Sequence, residues 1–480
     1  MKYYIGIDLG TSSCKGILCD KLGNIHRQHS VDYPVLYPRD GWTEQDPAHW
    51  FAAAKEILAR LSNGLEQDIY GLSVGGQMHG LVAMDADGTV LRPAILWNDG
   101  RTEKQTAYLN EVIGKQKLSQ LTGNIAFAGF TAPKILWMYE NEPELFARIA
   151  RICLPKDYLA LQLTGVFSSD YSDASGMLLL DVQNKCWSKE MCEICHIKPE
   201  WLPRLYESYQ VTGKLLPEYG LPNCVLTAGA GDNAAAAIGT GTVANGSCNI
   251  SLGTSGTVFL SADSYSVDPK NALHSFAHAN GRWHLMGCVL SAASCRKWWL
   301  EDILNTDDYI ADDEQIAATD TNLVFLPYLS GERSPHNDVN ARGAFIGLSA
   351  QTTRRQMSRA IMEGVAFSLR DCIEVAAQSG QRPTATNLCG GGAKSRVWRQ
   401  IMADALNMPV SVLKTEQGPS LGGAMLAMVG AGEYPTVEAA AAAIVSVAET
   451  VTPDPENVVR LEKKYQLFDR LYPALKALRD

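Results

Sequence analysis

No stretch of the sequence is apolar for long enough to span a bilayer. The most apolar run, Ala439 to Ala448, is Ala-rich and falls well short of the ~20 residues a spanning helix needs. The amino end lacks the uninterrupted apolar core of a secretory signal, because Asp8 interrupts it after a few residues. Positive charge is scarce as well: Lys and Arg number 42 against 52 Asp and Glu, a net charge of −10. That balance excludes the basic footprint that a nucleic-acid or anionic-membrane surface requires. With 46% hydrophobic, 20% charged and 8% aromatic residues, the composition carries no mark of disorder, collagen or coiled coil. What remains is an ordinary globular chain, expected in the cytoplasm with no membrane or nucleic-acid partner.

Twelve cysteines without a signal fit a reduced compartment, where they serve as small buried hydrophobes. Cys192-Glu-Ile-Cys195-His196 matches a haem-attachment pattern, and with Cys186 it could form a Cys3His zinc set, though the spacing is poor. The plainer reading has Trp187-Ser188 opening a short helix whose sulfurs pack or lie idle.

At roughly 150 residues per domain the length suggests about three domains. An internal repeat points instead to two. Leu9-Gly10-Thr11-Ser12 follows the strand-like Tyr3 to Asp8, and Leu252-Gly253-Thr254-Ser255 follows the strand-like Ser247 to Ser251. Each copy leads into another β-rich run, Cys14 to Cys19 and Gly256 to Ser261, so each reads as a β-hairpin with a Gly-Thr-Ser turn. The copies lie about half the chain apart. Around them strands alternate with helices. Asp46-Pro47 reads as cap and first turn of a helix to about Leu61, ahead of the strand Ile69 to Val74. Met357, Ile361, Val365, Leu369 and Ile373 mark one buried face of a helix over Gln356 to Gln378, followed by a strand at Asn387 to Cys389 and a helix from about Ser395 to Leu406. Both halves are therefore α/β.

Three Gly-rich turns at strand ends, Asp8 to Ser13, Ser251 to Gly256 and Gly390 to Ser395, suit phosphate binding, since glycine lets backbone amides approach an anion. Together they suggest a nucleotide held between the halves. No G-x-x-x-x-G-K-[ST] is present, which argues against a Walker-type NTPase, and the two G-x-G-x-x-A matches near Gly229 and Gly239 lack the acidic residue of a dinucleotide site. Asp232-Asn233 precedes the run Ala234 to Ala237. Local sequence favours a helix cap there; the alternative is a general base facing the cleft. Gly76-Gln77-Met78-His79-Gly80 follows a strand and suits a ligand loop, although a lone loop histidine is usually solvated or capping.

These segments, with Trp42-Thr-Glu-Gln-Asp-Pro47, Ala94-Ile-Leu-Trp-Asn-Asp-Gly-Arg101, Phe130-Thr-Ala-Pro-Lys134, Leu154-Pro-Lys-Asp-Tyr-Leu159, Ser330-Gly-Glu-Arg333 and Gly390-Gly-Gly-Ala-Lys-Ser395, resemble the FGGY family of carbohydrate kinases from residue 3 to about 430. The resemblance implies two ribonuclease-H-like domains of the actin and hexokinase type, divided here as 1–246 and 247–480, with ATP and a sugar in the cleft between them. It implies Asp232 as catalytic base, Met78, His79 and Asn233 as further sugar contacts, and Asp8 as the carboxylate organising Mg²⁺, through water. Gly10, Thr11, Ser12, Lys15, Gly253, Thr254 and Ser255 match the phosphate-holding turns, and Gly391, Gly392, Ala393 and Lys394 the loop under the adenosine. The implied reaction is ATP-dependent phosphorylation of a small sugar, tilted toward a five-carbon ketose by the His79 loop, with other ketoses or polyols as alternatives; a homodimer is compatible with it. An actin-like or chaperone-type ATPase shares the turns without needing Asp232 or the His79 loop, and an NAD-dependent oxidoreductase rests only on the weak glycine patterns. The last 50 residues carry little that is diagnostic.

Overall fold

A computed structural model of the chain describes residues 1–415 and 417–479. Two seven-stranded sheets dominate it, and they share one plan. In the first, Tyr3–Leu9 pairs antiparallel with Ser13–Asp20, which pairs antiparallel with Ile25–Asp32; on its other side Tyr3–Leu9 runs parallel to Ile69–Gly76, and that strand parallel to Val225–Thr227 and Ala230–Gly231. In the second, Cys248–Leu252 pairs antiparallel with Gly256–Ala262, which pairs antiparallel with Trp283–Val289; its other edge runs parallel to Thr386–Cys389 and on to Val410–Leu413. Three meandering strands followed by parallel ones, twice over, is the duplicated ribonuclease-H-like α/β architecture. The repeated Gly-Thr-Ser segments are the turns of the equivalent first hairpins.

Local signals set many boundaries. Asp46 caps Pro47–Ser62 by accepting from the Ala48 amide, Ser188 caps Lys189–Ile194, and Ser395 caps Arg396–Leu406. The long helix Arg354–Gln378 starts from a Thr353/Gln356 capping box and buries Ile361, Val365, Leu369 and Ile373. Cys192 and Cys195 are packed in a core with Met177 and Ile197, whereas Cys186 is exposed and His196 stacks on Tyr139 at 4.1 Å. Among the described residues no helix is long and apolar enough to cross a membrane, and no three His, Cys, Asp or Glu are grouped to hold a metal. Ala439 to Ala448 is split between a helix, Val437–Ile444, and the strand Val447–Val451.

Two helices join the halves. Asp232–Gly239 and Gly418–Gly430 each follow the parallel strands of their own half and cross in contact. Small residues make that contact possible: a Cβ on Gly422 would lie 1.8 Å from the Ala235 carbonyl oxygen, and one on Gly239 would lie 2.0 Å from that of Gly418. Gly418–Gly430 also lies on the first sheet, where a Cβ on Gly6 would meet the Ser420 oxygen at 1.8 Å. Packing therefore does not follow chain order, because a helix from the second half covers the first half's strands.

Candidate active site

The turn Gly10 to Ser12 is fixed from behind by a chain of side-chain amides and indoles. Gln45 takes a bond from Trp50 Nε1 at 3.0 Å and donates to the Thr11 carbonyl at 2.6 Å. Gln77 donates to Gln45 at 3.0 Å, and Trp97 Nε1 donates to the Thr11 hydroxyl at 2.9 Å. The buried Arg101, bound to Glu44 and Asp99 at 2.7 Å each and stacked on Trp42, braces the segments that supply these groups. This accounts for the Trp42 to Pro47 and Ala94 to Arg101 motifs, which position a turn. Ser12 stays exposed. Lys15, directly across the hairpin from Asp8, donates to Gln417.

The second turn is held differently. The amides of Ala292 and Ala293 bond the carbonyls of Thr254 and Gly253 at 2.9 and 2.8 Å, which leaves the Thr254 and Ser255 side chains exposed. Beside it, Gly390 has φ +88° and would put a Cβ 2.8 Å from the Leu252 backbone, so only glycine lets the chain turn there. The Gly391–Lys394 segment is a single 3₁₀ turn with Gly391 and Lys394 exposed and Gly392 and Ala393 buried. A cavity of about 1010 Å³ opens over both turns, lined among others by Asn233, Thr254, Gly391, Lys394, Arg399 and Glu449. Arg399 and Glu449, paired at 2.7 Å, carried no local signal in the sequence.

The cap expected at Asp232 is not what forms. Gly231 occupies the cap position with no side-chain bond, and Asp232 is the first helical residue, its carboxylate accepting from the Asn233 amide at 2.6 Å and side chain at 3.0 Å. Burial, then the charge of Asp8, push its carboxyl up to about 7 against those bonds. Burial likewise raises Asp8 to about 6 against the attraction of Lys15. Asp232 nevertheless keeps a partly exposed face.

Met78 packs against Gly231, where a Cβ would come 3.0 Å from its sulfur. His79 is half-buried and fixed, with φ +69°, its ring stacked on Phe130 at 4.6 Å and Nδ1 bonded to the Gly176 carbonyl at 2.7 Å. A carbonyl partner requires the proton on Nδ1, so Nε2 is an acceptor. Burial, helped by Lys134 and Arg333, lowers His79 to about 3, which keeps it neutral. Its carbonyl accepts from Lys134 Nζ at 2.9 Å and Thr131 Oγ1 at 3.0 Å. Lys134 is wholly buried, with Gly129 O at 2.7 Å as its other acceptor, and burial holds its amine well below the usual lysine range.

Beneath lies a buried ionic group. Lys156 contacts Asp157 at 2.7 Å, Asp170 at 2.8 Å and Asp173 at 3.7 Å. Burial alone would lower its pKa, but the three carboxylates reverse this and keep the ammonium charged. Asp170 accepts from Ser172 Oγ at 2.5 Å, and Ser172 accepts from the Gly231 amide at 3.2 Å, so the group supports the residue preceding Asp232.

A cavity of nucleotide size thus opens over the Gly253 to Ser255 and Gly391 to Lys394 turns, with Asn233, next in the chain to Asp232, in its wall. The chain belongs to the FGGY family of carbohydrate kinases: the family's N-terminal domain matches residues 3–239 and its C-terminal domain residues 248–431. It is an enzyme that phosphorylates a carbohydrate using ATP, and the chaperone-type ATPase and NAD-dependent readings lapse. More particularly, it is 40% identical over 482 residues to the xylulose kinase of Escherichia coli K12, covering 98% of this chain and 99% of that one. The crystal structure of a xyloylose kinase from Brucella ovis superposes with a TM-score of 0.95 at 38% identity, covering 99% of this chain and all of that one. That of a gluconate kinase from Lactobacillus acidophilus superposes at 0.94 with 28% identity, covering 99% and 98% of the two chains.

Proposed function

We propose that this chain transfers the γ-phosphoryl group of ATP to the terminal hydroxyl of D-xylulose, giving D-xylulose 5-phosphate. The names of its full-length relatives support the sugar, and the observation that carries the chemistry is Asp232. Its carboxylate stands partly exposed at the start of a helix between the halves, with a pKa near neutrality, where a general base works best. Asp232 takes the hydroxyl proton as the oxygen attacks phosphorus. Asn233 fixes the carboxylate through its amide, Met78 shapes the wall, and His79 Nε2 accepts a bond from a sugar hydroxyl. The amides and hydroxyls of Gly10 to Ser12 and Gly253 to Ser255, with Lys15, hold phosphate oxygens, and Gly391 to Lys394 support the adenosine.

Asp8, a carboxylate whose pKa burial raises, fits Mg²⁺ held through water. Asp8 would hold the ion through water, leaving its other positions to ligands from outside the chain. When bound, the ion neutralises charge on the phosphate oxygens. Residues 1–246 supply the sugar loop and first turn, and 247–480 the second turn and adenosine loop. ADP release measured across D-xylulose, D-ribulose, L-fuculose, glycerol and gluconate tests the reading: the highest kcat/KM belongs to D-xylulose, and a better acceptor in that panel replaces it.

A further inference from the structure

The family's C-terminal domain ends its match at residue 431, yet the chain continues into a long helix, Pro455–Arg479, packed on the second half. This helix walls a separate cavity of about 440 Å³, lined by Arg359, Arg396 and Arg460 together with Thr319, Gln400 and Asn457. Arg359 is buried. Its Nε donates to Glu363 at 2.8 Å and its Nη1 reaches the Ile316 carbonyl at 3.5 Å, while its Nη2 donates to no described residue. Arg396 is exposed, and its side chain has no hydrogen-bond or ion-pair partner among the described residues. Arg460 binds Asp320 and Asn457 and lies 3.7 Å from Glu363, which Lys464 also holds. Among the described residues Arg359, Arg460 and Lys464 pair with two carboxylates, Glu363 and Asp320, the latter also lining the cavity.

Three arginines converging on one open cavity favour an anion, and their planar forks suit the paired oxygens of a phosphate. We propose that this cavity binds a phosphate group and thereby adjusts the nucleotide site. The route is short. Arg396 lines both cavities and opens the helix that directly follows the Gly391–Lys394 turn, and Arg399 on that helix bonds the Ala393 carbonyl. Linkage makes the effect reciprocal: a phosphate bound here changes ADP affinity by the same factor that ADP changes phosphate affinity.

Calorimetric titration of the full chain, with ADP saturating the nucleotide cavity, tests this with inorganic phosphate in one arm and ribose 5-phosphate in the other. The expected result is one further binding event, weakened about tenfold or more in Arg460→Gln and in Arg359→Lys. Sugar phosphorylation by both variants stays at wild-type rate in phosphate-free buffer. Tighter binding of the ester assigns the site to a phosphorylated metabolite, and tighter binding of inorganic phosphate assigns it to the free anion. No binding in either arm, or binding undiminished in both variants, overturns the proposal.

Discussion

Asp8 and Ala230 are both paired with Gly75, one on each side of the same central strand, so Asp8 and the nearby Asp232 share one end of the sheet. The charge of the first raises the pKa of the second. Their neighbourhood sets the pH behaviour expected of the enzyme. As the proposed base, Asp232 must be ionised to accept a proton, so kcat/KM is expected to fall as the pH drops below about 7. A wild-type profile flat down to about pH 5 rejects Asp232 as the base.

Asp232→Asn is expected to retain ATP and sugar binding while turnover drops ~10²- to 10⁴-fold. Stability should move the other way. A carboxyl whose pKa is raised on folding stabilises the protein below its unfolded value, and that contribution is lost as pH rises through the folded one. The Asn variant therefore melts higher than wild type at pH 8, and the gain vanishes near pH 4. Equal melting temperatures at both pH values would show that Asp232 ionises in the folded protein as freely as in the unfolded chain.

Lys134 touches the proposed sugar loop through the backbone of His79. Lys134→Met removes the amine that holds the His79 and Gly129 carbonyls without unpairing a close ionic partner. The sugar KM should rise about tenfold or more while the ATP KM stays put. A matching rise in both constants would mean general loosening of the fold.

Gly422→Ala places a methyl group into the Ala235 backbone. Urea denaturation should show a loss of ~1–3 kcal/mol or more, as overpacking generally produces. An unchanged midpoint would mean that the helix crossing yields easily.

Closure of the halves on ATP plus xylulose should appear as compaction in solution scattering. Identical curves with and without both ligands count against a closing cleft.

Elements whose causes are local were legible in the sequence. The two hairpins, the Asp46 cap, the helix starts near Ser188 and Ser395 and the apolar stripe of Arg354–Gln378 each depend on residues within a few positions of one another. Asp232 was misread locally as a cap because an acid before an alanine run looks the same whether it caps the helix or begins it. Lys134 and Lys156 gave no sign of burial, since their acceptors at His79, Asp170 and Asp173 come from distant segments. The amide chain behind the first turn was equally hidden: Gln45 and Gln77 lie in separate motifs and meet only in the folded sheet.

The helix Gly418–Gly430 that covers Gly6 and Gly71 has a consequence for synthesis. The first sheet leaves the ribosome with that face bare and waits for most of the chain to be translated before its cover arrives. Its contacts are among the most distant in sequence, so this docking is expected to be late and slow. A released fragment ending before residue 418 should be readily cleaved by protease in its first half, while one ending after residue 431 should resist.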